Sequence, residues 1–410
     1  MTPQAAATRG PAGSAERETS VPYVEDRVIH DADAHTVEPQ EWLDEFATQR
    51  VIDYASQNLL FGGDALLPMI DEARELQAQE AFRSNAEAEV MARKNWQAHG
   101  AWIPEDRSEA LDYLGFASQL VFPSAPNTML EAMEHDAPAE LTYDAASAAN
   151  RAQIEFCRHD DRLLPVAYIP LQDLDRAGPC ATDAIEAGAA ALLIPARMPR
   201  LHAHSHVAFD PLWAQAQEAG LPIVMHVASP EIAVPPQHLN NGRPSEPDFH
   251  GGGENFMSVS YMGINAAPMQ ALSLLIFDGV LDQFPGLKVG IIELGAVWVP
   301  SFMRQLEAAM EAFGRHEQRL QKLSLRPSEF MERQVRVTPF PTEPTGWIIE
   351  NSSPDICMFS SDYPHVEGGR NPLRRFDNEV GHLPADVQER FFRSNFEDLM
   401  GSGLGALASA

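Results

Sequence analysis

The stretch VIHDADAHTVEP, residues 28–39, begins as an apolar strand and ends in a cluster of polar groups. Val28 and Ile29 start the apolar run, and Asp31, Asp33 and His35 follow at alternate positions. Because side chains alternate along a strand, these three leave the same face. Carboxylates and imidazoles are seldom buried without a partner. The stretch therefore predicts a strand whose carboxyl end displays a charged site.

Seven further apolar runs of strand length follow, and segments with helical periodicity separate most of them. The eight predicted strands cover residues 28–35, 117–124, 163–171, 190–196, 221–227, 287–294, 334–340 and 356–362. Apolar strands that alternate with helices indicate parallel strands covered on both faces. Eight such units predict an α/β fold of the (β/α)8 TIM-barrel type, with its chemistry at the carboxyl ends of the strands. A doubly wound open sheet is the alternative, but no Gly-rich phosphate loop follows an early strand.

We expect one domain, residues 21–402, between two tails. Residues 1–20 are rich in Ala, Gly, Pro and Ser, which is typical of a disordered tail and not of a secretion signal, and residues 403–410 are expected to form a flexible C-terminal tail. Two segments interrupt the barrel pattern: a helical insertion, residues 40–110, after strand one, and a long loop, residues 229–264, after strand five. Long loops in compact domains usually have a function, so we expect these two segments to determine substrate specificity.

The chain is strongly acidic, with 59 Asp and Glu residues against 29 Lys and Arg residues and a net charge of −30. This balance disfavours nucleic acid and anionic membrane surfaces as partners. We expect no apolar run long and uncharged enough to form a membrane helix, and three scattered cysteines favour reduced thiols over a disulfide framework. The composition therefore predicts a cytoplasmic protein whose partners are neither nucleic acid nor membranes.

Polar residues lie at the carboxyl ends of four predicted strands, where a barrel collects its catalytic groups. They are Asp33 and His35 on strand one, His226 on strand five, Glu293 on strand six and Asp362 on strand eight. Two imidazole nitrogens and two or three carboxylate oxygens suit Zn²⁺, Fe²⁺ or Mn²⁺ better than Mg²⁺ or Ca²⁺. Each residue alone also has a structural explanation, such as a polar cap at a strand end. Their occurrence together favours metal ligation.

Four motifs together resemble the amidohydrolase superfamily. They are DADAH at residues 31–35, VMH at 224–226, IIELGAVWVP at 291–300 and SSDYPH at 360–365. The similarity is to the amidohydrolase 2 branch, which also contains the aminocarboxymuconate-semialdehyde, resorcylate and carboxyvanillate decarboxylases. It extends from about Val28 to the RSNFEDLMG segment near Gly401, which is nearly the whole chain.

The resemblance implies a metal site made by four strand-end residues, Asp33, His35, His226 and Asp362. Asp362 would also accept the proton of an activated water or deliver a proton to the substrate, and the resemblance suggests a homodimer. Two departures from the family pattern are visible. Asp33 stands where the first His of strand one is usual, and Glu293 replaces the strand-six His that handles protons in the decarboxylase branch.

Glu293 allows a site with two cations. Superfamily members with two metals often bridge them with a carboxylated lysine on strand four, but Lys94, Lys288 and Lys322 all lie away from a suitable strand end. A glutamate carboxylate can bind two cations at once, and paired metals can generate a hydroxide nucleophile. We therefore expect one or two cations per chain, with Glu293 as a ligand, as an acceptor beside the site or as an ion-pair partner.

The leading hypothesis is a metal-dependent hydrolase that cleaves an ester, thioester or amide bond of a small substrate with an activated water. Asp362 is its predicted acid and base, and His365 and Glu293 are further catalytic candidates. The alternative is nonoxidative decarboxylation of an aromatic or unsaturated acid, which Glu293 in place of His disfavours. A barrel that binds a ligand without catalysis is the third hypothesis.

Substrate-binding candidates lie just beyond the strand ends. Arg197 is expected either to hold a substrate carboxylate with its planar guanidinium or to form a surface ion pair. Phe340 and Trp298 are expected to form an apolar wall. His365 either contacts the substrate or bonds to the backbone of its own turn.

Overall fold

Seven parallel strands form one sheet in the computed structural model, which describes residues 22–57, 67–228, 237, 240–244 and 257–409. Their order in the sheet follows their order in the chain. They are β1 (His30–Thr36), β2 (Ser118–Pro123), β3 (Leu163–Tyr168), β4 (Ala191–Leu193), β5 (Ile223–His226), β6 (Val289–Ile292) and β7 (Val335–Val337). Every residue of these strands is buried, as expected for parallel strands covered on both faces.

The eighth predicted strand, residues 356–362, is irregular but connects the two edges of the sheet. The Met358 N–H donates to the Val337 carbonyl of β7 at 2.9 Å, and the Asp362 N–H donates to the Asp33 carbonyl of β1 at 2.8 Å. Only isolated bridges are formed, because Asp362 has a φ of 53° and leaves the extended conformation. The segment thus completes the ring, and the prediction of a (β/α)8 barrel is confirmed.

β1 contains a bulge within the polar stretch that begins the domain. Asp31 pairs with Gln119 and Ala34 pairs with Val121, so β1 has one residue more than β2 over this interval. A bulge of this kind bends the strand and redirects side chains. Asp33, which lies in the bulge, therefore points differently from the deeper Asp31.

The insertion after β1 is helical. Its described residues, 40–57 and 67–110, contain the 3₁₀ turns Gln40–Leu43 and Asn95–Gln97, three helices and most of a fourth. These helices are α1 (Gln49–Gln57), α2 (Leu67–Gln77), α3 (Glu80–Ser84) and α4 (Pro104–Leu114). α4 ends at Gly115, whose φ of 72° suits a residue without a Cβ.

The remaining helices in the described part of the chain connect the strands and cover the outside of the sheet. In chain order they are α5 (Ala125–Asp136), α6 (Ala139–Cys157), α7 (Ala177–Ala187), α8 (Asp210–Ala219), α9 (Ser258–Gly263), α10 (Ala266–Phe277), α11 (Val280–Gln283), α12 (Val299–Phe313), α13 (Pro327–Gln334), α14 (Thr345–Asn351), α15 (Pro372–Val380), α16 (Ala385–Glu389) and α17 (Asn395–Met400). A π-helical turn, Arg390–Ser394, joins the last two.

Several expected segments lie partly or wholly outside the described residues. The N-terminal tail, residues 1–20, and most of the loop 229–264 are among them. The C-terminal segment Gly401–Ser409 forms 3₁₀ turns, and Leu404 is buried against the core.

One stretch, Ser258–Phe277, is long and apolar enough to cross a membrane by length and composition alone. Our expectation that no stretch would meet this criterion is wrong. The stretch comprises α9 and α10, and Leu272, Leu275 and Ile276 pack into the core, which accounts for their apolar character.

Candidate metal centre

The polar strand ends converge at the carboxyl edge of the sheet. One possible ligand atom from each of Asp33, His35, His226 and Glu293 lies within 4.8 Å of the others. Asp362 joins this cluster through His35, because its Oδ1 lies 3.6 Å from His35 Nε2. The five predicted ligands thus occupy one small volume of the protein.

His226 presents its Nε2 atom to two carboxylates. Its Nδ1 lies 2.5 Å from the Val227 carbonyl oxygen and must therefore carry a proton. Nε2 lies 3.3 Å from Asp33 Oδ1 and 3.3 Å from Glu293 Oε2. A backbone carbonyl that holds the far nitrogen of an imidazole is a frequent way to orient a metal-binding histidine.

His35 is buried and neutral. Its Nε2 lies 3.2 Å from Asp33 Oδ1, yet it has no hydrogen-bond partner within the described part of the chain. Burial lowers the pKa of His35 well below its usual value, and the nearby His365 and His226 lower it further. A neutral imidazole keeps a lone pair available for a cation.

Asp362 has a buried carboxylate without a donor. Neither of its oxygens receives a hydrogen bond from any described residue, and the side chain is 8% exposed. A buried carboxylate in this state is costly unless a cation compensates its charge. Asp362 therefore favours an ion at this position over a purely structural arrangement.

The spacing of the donor atoms fits such an ion. The four imidazole–carboxylate separations given above for His35 and His226 are 3.2, 3.6, 3.3 and 3.3 Å. Two ligands of a tetrahedral ion with bonds of ~2.1 Å lie ~3.4 Å apart. Mixed nitrogen and oxygen donors suit Zn²⁺, Mn²⁺ or Fe²⁺. The residues thus fit a transition-metal cation.

A layer of hydrogen bonds lies directly beneath the cluster. Asp31 accepts from the amide of Gln119 at 2.9 Å and from the Asp33 N–H at 3.3 Å, in addition to two bonds from Ser361. Burial raises the pKa of Asp31 to about 7, and the bonds from Ser361 and Gln119 oppose that effect. Because both of its oxygens already accept hydrogen bonds, Asp31 positions the candidate ligands and is not itself expected to bind the cation.

The Glu293 turn is held by two residues of the next β–α unit. The Glu293 N–H donates to Thr338 Oγ1 at 2.8 Å, and Glu293 has a φ of 53°. The Glu343 carboxylate accepts from the backbone N–H groups of Ala296, Val297 and Phe340 at 2.9–3.1 Å. These bonds connect the ends of β6 and β7 and orient the Glu293 side chain.

The sequence search for relatives agrees with this geometry. A family model described as Amidohydrolase matches residues 30–399. This chain belongs to the amidohydrolase family. The predicted resemblance is thereby confirmed, and with it the expectation of an enzyme of this superfamily. A comparison with curated protein sequences finds no match.

Solved structures share the fold of this amidohydrolase. An amidohydrolase from Mycobacterium avium subsp. paratuberculosis is 19% identical with a TM-score of 0.72, and the match covers 92% of this chain and 100% of that one. 5-Carboxyvanillate decarboxylase from Novosphingobium aromaticivorans, with manganese and a nitrobenzoic acid bound, is 17% identical with a TM-score of 0.58 over 91% and 97% of the two chains. Dihydroxybenzoic acid decarboxylase from Polaromonas sp. JS666, with manganese and 2-nitroresorcinol bound, is 14% identical with a TM-score of 0.58 over 92% and 98%.

His365 of the amidohydrolase lies between Asp362 and a residue that the sequence analysis missed. Its Nδ1 is 3.2 Å from Asp362 Oδ1, and its Nε2 is 2.8 Å from Ser124 Oγ. Ser124 donates its hydroxyl hydrogen to the Thr36 carbonyl at 2.5 Å, and its backbone N–H donates to the buried carboxylate of Glu38 at 3.0 Å. The only sequence signal for Ser124 is its position at the end of the second predicted strand.

The three predicted substrate-binding residues have different surroundings. Phe340 lines a small space with Asp33, Glu293 and Asp362, as a wall residue would. Trp298 is buried, and its indole N–H donates to the Gly295 carbonyl at 2.7 Å, so it supports the turn after Glu293.

Arg197 is exposed near the cluster. Its backbone N–H donates to the buried carboxyl group of Glu131, and both Arg197 and His226 interact electrostatically with that group. Burial raises the pKa of Glu131 to about 7, and the charge of Arg197 opposes this. The predicted roles of Arg197, Phe340 and Trp298 in substrate binding remain predictions.

Lys94 is a second residue that sequence reasoning missed. Its ammonium is buried near Asp362 and Glu367, and burial lowers its pKa to about 8 while those two carboxylates raise it. The residue belongs to the helical insertion, far from any strand end in sequence. Its position therefore depends on how the insertion folds back over the sheet.

Proposed function

We propose that this amidohydrolase is a metal-dependent nonoxidative decarboxylase of an aromatic or unsaturated carboxylic acid. The observation that carries the proposal is the pair Asp362 and His365, because a donor-free carboxylate lies 3.2 Å from an imidazole beside a set of metal ligands. The decarboxylases of similar fold, which bind manganese, lend support. Hydrolysis, the leading hypothesis from the sequence, becomes the second candidate.

The ligands in this proposal are Asp33, His35 and His226, completed by Asp362 or Glu293. When bound, a divalent cation would hold oxygen atoms of the acid substrate and withdraw electrons from its unsaturated system. Zn²⁺, Fe²⁺ and Mn²⁺ all suit the donor set, and the manganese of the similar structures favours Mn²⁺.

The chain's own residues would supply the proton. Because Ser124 donates its hydroxyl hydrogen to the Thr36 carbonyl, it accepts one from His365 Nε2. The Nδ1 atom of His365 then faces Asp362 Oδ1 across 3.2 Å, and one proton taken up by the pair would be held between these two atoms. Asp362 and His365 thus form a proton reservoir at the edge of the ligand set.

The reaction needs no other reagent. The shared proton adds to the ring or vinylic carbon that carries the carboxylate. The bond from that carbon to the carboxylate then breaks, its electron pair restores the unsaturated system, and carbon dioxide leaves. A proton from solvent subsequently protonates the pair of Asp362 and His365 again.

The site excludes bulk water. The space bounded by Asp33, Glu293, Phe340 and Asp362 has a volume of about 10 Å³, which is room for about one water molecule. Gly368 packs so closely over this space that a Cβ atom on it would lie 2.0 Å from the Ser361 carbonyl oxygen. Entry of an aromatic acid therefore requires the segment 366–369 to move.

Hydrolysis remains the second candidate because of Glu293. Its Oε2 lies 3.3 Å from His226 Nε2, so a carboxylate stands where the decarboxylase branch commonly has a histidine. With a second cation, this arrangement would favour attack by water on an ester, thioester or amide carbon.

One experiment separates the two reactions. The purified protein is loaded with Mn²⁺ and incubated with a panel of hydroxybenzoic acids and with a panel of aryl esters, thioesters and amides. We expect carbon dioxide release from at least one acid, abolished by Asp362→Asn, and no release of acyl products. Acyl hydrolysis without carbon dioxide release would overturn the proposal in favour of hydrolysis.

A further inference from the structure

The ammonium group of Lys94 is buried without a hydrogen-bond acceptor in the described part of the chain. An amine of this kind normally finds a partner, since burial of an unpaired charge is unfavourable. Lys288, by contrast, donates to both Asp398 oxygens at 2.9 and 2.7 Å and to a backbone carbonyl at 2.9 Å. The mechanism proposed above makes no use of Lys94.

The insertion places Lys94 beside the reacting groups by a backbone contact. The Asn95 N–H donates to the Pro364 carbonyl at 2.9 Å, two residues after Asp362. Asn95 has a φ of 51°, so the chain turns sharply at the point of contact. Lys94 immediately precedes this turn. The opposite charges that act on its ammonium are those of Asp362, Glu367 and Asp31, and Arg370 is the like charge.

Lys94 also lines a cavity on the outer side of the site. The cavity has a volume of about 410 Å³ and includes Trp96, Met69 and Arg370 in its wall. This space lies within the usual range for a small-molecule site. Three cationic residues, Arg93, Lys94 and Arg370, and one carboxylate, Glu72, also line it. This excess of positive charge beside apolar groups suits a molecule that combines an apolar ring with a negative charge.

The charge balance of the site favours a positively charged side chain close to Asp362. With one proton held between Asp362 and His365, the carboxylates of Asp33, Glu293 and Asp362 leave two negative charges, which one divalent cation balances. The carboxylate of a substrate would add a further negative charge. One additional positive group close to Asp362 would offset it, because charges interact strongly where water is excluded.

We propose that Lys94 is a substrate-binding residue whose ammonium holds the carboxylate of the acid substrate, with the ring extending into the cavity that Lys94 lines. The inference rests on the proposed function in one respect, that the substrate is a carboxylic acid. It assigns to the helical insertion a defined part in recognition, the selection of anionic over neutral ligands.

Calorimetric titration of the Mn²⁺-loaded protein tests this with salicylate and its neutral analogue salicylamide. In the wild type we expect salicylate to bind at least about tenfold more tightly, as a charge-assisted bond allows. Lys94→Met should remove that preference and leave salicylamide binding within about twofold, whereas Lys94→Arg should retain part of it. The exposed Lys322 provides the control Lys322→Met, which should behave as the wild type.

Equal salicylate affinity in the wild type and in Lys94→Met would overturn the inference, as would a failure of the wild type to bind salicylate at millimolar concentration. Metal content and thermal unfolding of each variant show that the fold is intact. If no acid is decarboxylated but salicylate binding depends on Lys94, the inference stands and the decarboxylase proposal fails. If carbon dioxide release and salicylate affinity are both unchanged in Lys94→Met, the inference alone fails.

Discussion

The Asp31 carboxylate accepts both the backbone N–H and the hydroxyl of Ser361, at 2.8 and 2.6 Å. Ser361 immediately precedes Asp362, whereas Asp31 lies two residues before Asp33. One buried side chain of β1 therefore determines the position of the segment that carries Asp362. Because the segment 356–362 does not pair regularly with β1, the bonds between Asp31 and Ser361 help to hold Asp362 beside Asp33 and His35 in the candidate metal centre.

Replacement of Asp31 by Ala should destabilise the protein by about 2–6 kcal/mol. The change leaves the Ser361 N–H and the Gln119 amide buried without an acceptor, and each such group costs about 1–3 kcal/mol. Urea unfolding measures the difference, with the exposed Asp53→Ala as the control. A loss below about 1 kcal/mol would show that Asp31 does not hold the segment.

Substitution of Asp33, His35 or His226 by Ala should abolish tight metal binding. Each variant removes one donor from a cluster whose atoms lie within 4.8 Å of one another, and loss of a ligand leaves an incomplete coordination sphere. Elemental analysis after dialysis gives the metal content per chain. His202→Ala, which changes a histidine outside the cluster, should keep its metal. Retention of metal in all three site variants would refute the assignment.

Glu293→Gln distinguishes one cation from two. Because Glu293 is the only predicted bridging ligand, a site with two cations should fall from two metals per chain to one in this variant. A site with one cation should keep its stoichiometry and lose affinity by about 10–100-fold, as expected for an altered neighbour of a ligand. We expect the second result, since the decarboxylation proposal requires one cation. Titration of the metal-free protein with Mn²⁺ measures both quantities.

Ser124→Ala should lower kcat by about tenfold without loss of metal. Ser124 holds His365 Nε2 at 2.8 Å, so its removal allows the imidazole to rotate away from Asp362. A misplaced proton donor affects the rate more than substrate binding. Steady-state kinetics over a range of pH tests this, because a change in the proton reservoir should also shift the pH profile. An unchanged kcat and profile would exclude Ser124 from positioning His365.

Acidification should destabilise the protein through His204. Burial lowers its pKa from 6.5 to about 4, although the bond to the Pro195 carbonyl opposes this. Between these values the unfolded chain binds more protons, so His204 contributes stability that is complete above pH 6.5 and is lost as the pH falls towards 4. At pH 5 the loss is about 2 kcal/mol relative to pH 7. His204→Asn should reduce the difference in unfolding free energy between the two pH values by about that amount.

The strands and the convergence of polar side chains at their carboxyl ends were predictable because both depend on local patterns. Apolar runs and the spacing of two between Asp33 and His35 are properties of short segments. The irregular eighth segment was not predictable, because the positive φ of Asp362 leaves no trace in an apolar run. The pattern ICMFSSD has the same form as the seven regular strands.

The supporting residues were not predictable because their partners are distant in sequence. Ser124 and His365 are separated by 241 positions, and Lys94 approaches Asp362 only because Asn95 contacts Pro364. His30 similarly bonds to Ser118 at the opposite end of β1 from the metal centre. Such contacts arise from tertiary packing and leave no periodic pattern in the amino-acid sequence.

Glu293 and Asp362 both occupy the left-handed backbone region, each with a φ of 53°. An ordinary residue held there costs about 1–3 kcal/mol, which glycine would avoid. Two residues of the candidate metal centre are therefore held in a backbone conformation that their residue types disfavour. A selection of variants for heat resistance alone should therefore enrich glycine at both positions. Such variants should be more stable and inactive, because the two carboxylates are lost, so stability and activity are opposed at these two φ angles.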